Sequence, residues 1–222
     1  MDPRNIEAVL STQFSDFGLG LRPPTFDPLL GSGIFTQDGK HWRHSRELLR
    51  PQFMANRLNN FEQIRDAVDS LISCIPQDDV VDLQPLFFRL TFETTLFLLF
   101  GRHLPSVKSE DIAGRESEFA DAFNLGQDYL AQRGRLGDLY WLLGGARFRE
   151  ACKACHGFVD RAVKKALDSS VKMKATDSNT EPYVFIDALI KESRDPKVLR
   201  DQCLNILLAG RDTTACCLTW AL

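Results

Sequence analysis

What is scarce in these 222 residues narrows the field first. No stretch of about 18 uncharged apolar residues occurs, the length that a bilayer core demands. The nearest approach, LQPLFFRLTFETTLFLLFG, is interrupted by Arg89 and Glu93, so the chain is expected to carry no membrane span of its own. Neither sign of charge dominates: 27 Lys and Arg stand against 30 Asp and Glu, a formal −3. That excludes the strongly basic surface with which a protein seeks nucleic acid. Tyrosine and methionine number three each against sixteen phenylalanines, so aromatic core is built largely without phenolic hydrogen bonds. The six cysteines are scattered, and the opening MDPRNIEAVL has neither the basic segment nor the apolar core of a secretory signal. A reducing compartment and no disulfides are expected.

What is present reads as globular and helical. With 44% hydrophobic and 26% charged residues, a compact domain of this size buries roughly 70% of its unfolded surface. Asp2 followed by Pro3 is a helix start, with Ile6, Val9, Leu10 and Phe14 at helical spacing after it. Five glycines and three prolines between Gly18 and Gly39 predict an irregular loop whose apolar residues, among them Leu29 and Leu30, pack inward. A short helix follows over residues 40–50, stopped by Pro51. Leu58, Phe61, Ile64, Val68, Leu71 and Ile75 step by three and four and predict one buried helix face. Residues 84–100, apolar on nearly all sides and closed by Gly101, predict a central helix. Further helices are expected over 116–131, 146–168 and about 183–192, with a glycine-punctuated bend at 134–145 and a polar linker, DSSVKMKATDSNTEP. The last helix starts near Pro196. Val80 to Leu83 offers at most a short strand, and no internal repeat is visible, so the class is mainly α.

Three stretches carry chemically interesting residues. Cys152, Cys155 and His156 match the C-x-x-C-H pattern of covalent haem attachment, yet both cysteines fall on the apolar stripe of a long helix, where a thiol acts as a small hydrophobe. Zinc is not supported either, since no second Cys or His pair stands at ligand spacing. The second stretch is Trp42-Arg-His-Ser-Arg46. Trp42 and Arg46 share one helix face and offer only donors, an indole N–H and a guanidinium, which suits a carboxylate or phosphate oxygen. The same helix sets Lys40, Arg43, Arg46 and Arg50 against Glu47 alone, which is equally the pattern of a solvated face or a docking patch. The third is NILLAGRDTTACCLTWAL, where Gly210 costs about 1 kcal/mol relative to Ala inside a helix. Either one helix ends there and another starts at Asp212 or Thr213, or one helix is opened locally. In the second case Gly210 lets a ligand approach the backbone, Thr213 and Thr214 bond back to the carbonyls of Ala209 and Gly210, and Asp212 with Thr213 forms an acid and alcohol pair able to pass protons.

A-G-R-D-T-T resembles the central helix of cytochrome P-450 monooxygenases, and G-I-F-T-Q-D-G-K-H-W-R-H-S-R resembles the segment holding that family's W-x-x-x-R helix. The two stand in the family's order, and the wording around them is most similar to the fungal alkane and fatty-acid hydroxylase branch. The resemblance implies haem b, with Trp42 and Arg46 bonding a propionate. It places Ala209 and Gly210 along the oxygen pocket and makes Asp212 and Thr213 the catalytic proton-delivery pair. It further implies hydroxylation of an apolar substrate, a long alkane or fatty acid, with O₂ and electrons from NADPH through a reductase. The loop from Gly18 to Phe35 and the helices around 116–168 would roof the substrate, and Arg43 and His44 would face the reductase. The complete protein would be anchored at the endoplasmic reticulum membrane on its cytosolic face.

The pattern is incomplete within residues 1–222. No E-x-x-R pair and no F-x-x-G-x-R-x-C-x-G loop is present, so no metal ligand is assigned and the axial cysteine is expected beyond Leu222. Residues 1–222 are therefore read as a single partial P-450 domain, the helical part up to the central helix, with the amino-terminal anchor, most of the sheet and the haem-thiolate half outside it. Alone it is expected to be inactive. Two other readings stand beside this one: a non-catalytic helical interaction module with a basic docking helix, and an electron carrier with His156 on iron.

Overall fold

The computed structural model describes residues 2–55, 61–76, 78–101, 110–173 and 184–222. Among them there is no β-strand; Val80, the suggested strand position, is 97% exposed, and Asp82 instead caps the helix that begins at Leu83 by accepting from Gln84 N–H at 3.0 Å. Nine α-helices are described: α1 Pro3–Glu7, α2 Arg22–Leu30, α3 Gly39–Ala55, α4 Phe61–Ser73, α5 Leu83–Phe100, α6 Glu110–Leu136, α7 Ala146–Met173, α8 Phe185–Glu192 and α9 Pro196–Ala221.

The first correction is α2, a nine-residue helix inside the stretch expected to be irregular. Its prolines are placed where a helix tolerates them. Pro23 and Pro24 occupy the first turn, where backbone N–H groups have no intrahelical partner to lose. Pro28 deprives the Pro24 carbonyl of its partner four residues on, and Arg133 of α6 donates to that oxygen through Nη2 (3.3 Å) and to Thr25 O through Nε (3.0 Å). The expectation that the apolar residues there pack inward holds: Leu29 and Leu30 are fully buried.

A second correction concerns α3, which continues through Pro51 to Ala55. Pro51 and Glu47 both lie on the exposed side, where the Glu47 carbonyl left without an N–H can turn to water. The third concerns α4. Its apolar stripe is real but incompletely covered: Ile64 is 48% exposed, while Val68, Leu71 and Ile75 are half-buried. Leu58 of the same stripe lies outside the described residues. Finally, α7 absorbs residues 168–173 of the expected linker, and the rest, 174–182, lies outside the described residues.

The other helices follow their sequence periodicity. Asp2 Oδ1 accepts from Arg4 N–H (2.9 Å) to start α1. Gly101 closes α5 at a φ of +44°, a value that favours glycine. On α7, Phe148, Cys152, Cys155, Val159, Val163 and Ala166 are buried, and Arg149, Lys153, Arg161, Lys164 and Lys165 are exposed. The phenylalanine excess is spent at the meeting of α5, α6 and α7, where Phe119 stacks on Phe92 (5.4 Å between centroids) and Phe123 (5.5 Å) and tilts against Phe158 (4.5 Å). Against this core lie α5 and α9, which make the most extensive helix pair. By length and composition α5 is apolar enough to cross a membrane. Here its buried face, from Phe87 to Phe100, packs on α9 and α8, and Arg89 pairs with Glu93 at 2.7 Å on its outer side.

Candidate functional site

The site is built along α9, a single uninterrupted helix, so the reading of two helices meeting at Gly210 does not hold. Asp195 caps it by accepting from Lys197 N–H (2.9 Å), with Pro196 in the first turn. Its first half is buried almost all round, and one face opens from Leu208 onward.

Thr213 lies on that open face, and its hydroxyl donates to the Ala209 carbonyl at 2.6 Å. This is the back-bond expected from the sequence, and it weakens the helix ladder at that turn because the carbonyl is shared. Thr214 is exposed as well.

The reason for Gly210 differs from the expected one. A Cβ there would stand 2.6 Å from Thr95 Oγ1 and 3.0 Å from Thr95 Cγ2 of α5. The glycine therefore lets α5 approach α9 closely, and the direction a side chain would take is filled by protein.

Asp212, next to Thr213 in sequence, points elsewhere. Its carboxylate lies 3.3 Å from Arg211 Nη1 and is faced by Gln127 of α6. Burial pushes the carboxyl above the ordinary Asp range, against the opposing pull of Arg211 and Gln127. An acid that keeps its proton more readily than usual thus sits beside a hydroxyl on the open face. The two side chains project from neighbouring positions about 100° apart around the helix.

Trp42 and Arg46 do share a face of α3. The guanidinium lies over the indole at 5.5 Å, and the Phe14 ring packs against the same indole with centroids 5.2 Å apart. Trp42 is half-buried and Arg46 exposed, and among the described residues Arg46 has no carboxylate partner. Lys40, Arg43, His44 and Arg50 are exposed around it. What links α3 to α9 is a polar chain unseen in the sequence: buried Gln202 donates through Nε2 to Ser45 Oγ (2.7 Å), which donates to Gln37 Oε1 (2.5 Å).

Sequence reasoning also missed the grip of α9 on residues 30–36. Asp201 accepts from Ser32 N–H (2.9 Å), and Asn205 accepts from Phe35 N–H (3.0 Å) and donates to Leu30 O (3.0 Å). Glycine is required at two points of that segment, because a Cβ on Gly31 or Gly33 would fall 2.2 Å from Asp201 or Asn205. The available signal was the set of polar residues Asp201, Gln202 and Asn205 inside an apolar run. Buried polar groups of that kind need partners.

The C-x-x-C-H stretch is core. Burial pushes the Cys152 thiol up to about 11 and the Cys155 thiol up to about 12, and neither is poised as the thiolate that haem or zinc chemistry uses. His156 donates from Nε2 to the Leu29 carbonyl at 2.9 Å, which ties α7 to α2. Among the described residues no group of three or more His, Cys, Asp or Glu could hold a metal ion.

An indole and a guanidinium thus share one face of α3, and the hydrogen bond from Gln202 to Ser45 ties that helix to α9, whose open face carries the back-bonded Thr213. The chain belongs to the cytochrome P450 family, whose description matches residues 1–222. A cytochrome P450 of Arthroderma benhamiae is 70% identical over 223 residues, covering all of this chain and 42% of the relative. Cytochrome P450 52A9 of Candida maltosa is 46% identical over 232 residues, all of this chain and 44% of its own length. Cytochrome P450 monooxygenase g430 of a Fusarium species is 40% identical over 237 residues, 99% of this chain and 42% of its own. The chain thus spans a little over two fifths of these relatives.

Proposed function

We propose that these residues form the oxygen-side wall of a haem monooxygenase, and that the complete protein hydroxylates an apolar substrate, a long-chain alkane or fatty acid. The observation that carries the reading is the turn Ala209–Thr213, with a small side chain and a hydroxyl bonded to its own backbone on the open face of a continuous helix, and next to it Asp212, whose carboxyl burial pushes upward. The residues fit haem b: the donors of Trp42 and Arg46 suit a propionate, and among the described residues no acid competes for Arg46. When bound, the haem supplies binding and reductive activation of O₂, with electrons from NADPH through a reductase.

This chain's own groups do the rest. Ala209 leaves room beside the backbone. Thr213 Oγ1 can hand on its proton while the Ala209 carbonyl holds it in place, and Asp212 is the store from which that proton is replaced. Gly210 acts through the close approach of α5. Exposed Arg43 and His44 suit a reductase surface, and the complete protein works at the cytosolic face of the endoplasmic reticulum membrane, as the resemblance implies.

The test is Thr213→Ala in the complete protein, measuring product formed per O₂ consumed. Product yield falls several-fold while O₂ uptake continues, in keeping with the loss of a proton-transfer group. Unchanged coupling overturns the proposed role.

A further inference from the structure

Between α7, the start of α9, α6 and α2 lies a groove of about 970 Å³, at the upper end of the roughly 300–1,000 Å³ that small-molecule sites span. The proposed chemistry makes no use of it. Its floor is aromatic, from Phe119, Phe148 and Phe158, and it reaches α7 at Gly157, where no side chain stands in the way. The cations Arg149, Lys153, Arg161 and Arg200 line it against the acids Glu118, Glu150 and Asp160. Arg200 projects from α9 on the side opposite Ala209, because nine residues make about two and a half helical turns. The groove and the Ala209–Thr213 turn therefore lie on different sides of α9.

One cation is held in place with a nitrogen to spare. Arg200 donates through Nε (3.1 Å) and Nη2 (3.0 Å) to Asp201 Oδ1, and Asp201, 1% exposed, also accepts from Ser32 N–H at 2.9 Å. Its Nη1 is left 3.6 Å from Asp160 Oδ2, too far for a hydrogen bond, and the Asp160 side chain is 46% exposed. Arg149 is committed to the Gly144 carbonyl at 2.9 Å. Lys153 and Arg161 are exposed and, among the described residues, have no carboxylate partner. Arg161 reaches back over Gly157, since a Cβ there would lie 3.6 Å from its Nη1. A guanidinium fixed in direction and a second one beside it suit a planar carboxylate. The aromatic floor suits an alkyl chain; a peptide would set backbone polar groups on it without partners, which is costly.

We propose that this groove is a binding site for a long-chain carboxylate, with the acid on Arg200 Nη1 and Arg161 and the chain along Phe119, Phe148 and Phe158. Asp160 holds the place that the ligand's acid takes. Because Asp201 already orders Arg200, little side-chain freedom is lost on binding. Burial of the chain supplies affinity, and the guanidinium groups select an acid over an alcohol. Binding here neither requires the monooxygenase reading nor falls with it.

The experiment is calorimetric titration of the complete protein with dodecanoate and with its neutral counterpart dodecan-1-ol, repeated in Asp160→Asn, Arg161→Ala and Gly157→Leu. All three positions are half-buried or exposed, so the core stays intact. Dodecanoate binds several-fold more tightly than dodecan-1-ol. Asp160→Asn, which removes the competing carboxylate, tightens dodecanoate several-fold, Arg161→Ala weakens it several-fold, and neither moves dodecan-1-ol. Gly157→Leu fills the groove and weakens both. Acid taken up beside Ala209 is insensitive to all three substitutions, so affinities unchanged across the variants overturn the proposal. Equal affinity for acid and alcohol overturns it too. Tighter binding of dodecyl phosphate than of dodecanoate assigns the groove to a lipid headgroup and likewise overturns it. Thr213→Ala leaves these affinities unmoved, so failure of the coupling test and failure of this one are read separately.

Discussion

Replacing Gly210 with Ala separates two accounts of why a glycine sits in the middle of α9. If the position faced open space, the substitution would stabilise the helix by about 1 kcal/mol, the intrinsic difference between the two residues. The structure places Thr95 Oγ1 2.6 Å and Thr95 Cβ 3.4 Å from the added methyl. Thr95 is buried and its hydroxyl already donates to the Thr91 carbonyl at 2.7 Å, so it cannot swing aside without losing that bond. Over-packing of this kind costs about 1–3 kcal/mol, which equals or outweighs the propensity gain. The net expectation is a loss of roughly 0–2 kcal/mol, read as a lower urea midpoint of the complete protein. Because the low end lies close to zero, the decisive quantity is the coupling between positions. Thr95→Ala removes both atoms nearest the added methyl, so Gly210→Ala in that background recovers the helix-propensity gain. The double-mutant cycle should therefore show an interaction of about 1–3 kcal/mol, within the range known for touching residues. A stabilising Gly210→Ala, or effects that simply add, refutes the close approach of α5 and α9 as the reason for the glycine.

Two further expectations follow from the same geometry. At mildly alkaline pH a thiol reagent labels Cys74, Cys216 and Cys217 promptly and Cys152, Cys155 and Cys203 only on unfolding, since the first three are exposed and the rest buried. Because folding raises the Cys152 and Cys155 thiols from 9.0 to about 11 and about 12, the folded state holds extra protons between those limits; stability is full below about pH 9 and falls as pH rises through that window. Cys152→Ala with Cys155→Ala flattens that slope in urea titrations at pH 8 and pH 10, and an unchanged slope would reject the buried-thiol account. Arg46→Ala in the complete protein lowers retention of haem on gel filtration by roughly tenfold, about the 1.4 kcal/mol range of one charge-assisted hydrogen bond, whereas Trp42→Phe, which keeps the ring but loses the N–H, has a smaller effect. Equal retention in Arg46→Ala and wild type would favour a solvated or docking role for this helix.

Helical class, the central placement of α5, the buried stripe of α7 and the start of α9 were all legible, because each depends on periodicity and caps that lie within one segment. Two of the misreadings share one cause: compensation from a residue far away in sequence. The prolines of α2 look prohibitive until Arg133, more than a hundred positions later, is seen to serve the freed carbonyl. Gly210 looks like a ligand opening until Thr95 is found across the helix pair. The α4 stripe predicts burial correctly in pattern, but nothing local says how much of it a neighbour covers. At the site, Trp42 with Arg46 and Ala209 with Thr213 were visible as i, i+4 pairs. Their tie through Gln202 and Ser45 and the grip of Asp201 and Asn205 on residues 30–36 span well over a hundred residues and left no periodic trace.

Those long-range ties explain how a helix pair can be set accurately for chemistry. Asp201, Asn205, Ala209 and Thr213 are each four residues apart, so they form one slowly rotating stripe along α9 with about 6 Å between successive members. The first two members clamp the backbone at Ser32 and Phe35, and Gln202 beside them clamps Ser45. The chain from Ser32 to Ser45 is thereby fixed to α9 at three points, two before α3 begins and one inside it. Trp42 and Arg46 flank the third point, so their placement relative to Ala209 and Thr213 is set by rigid helix geometry and not by a flexible loop. Buried polar groups usually weaken a core, and here each satisfied one specifies a register instead. Breaking one clamp should therefore move the donors of α3 relative to the oxygen-side turn before it unfolds anything.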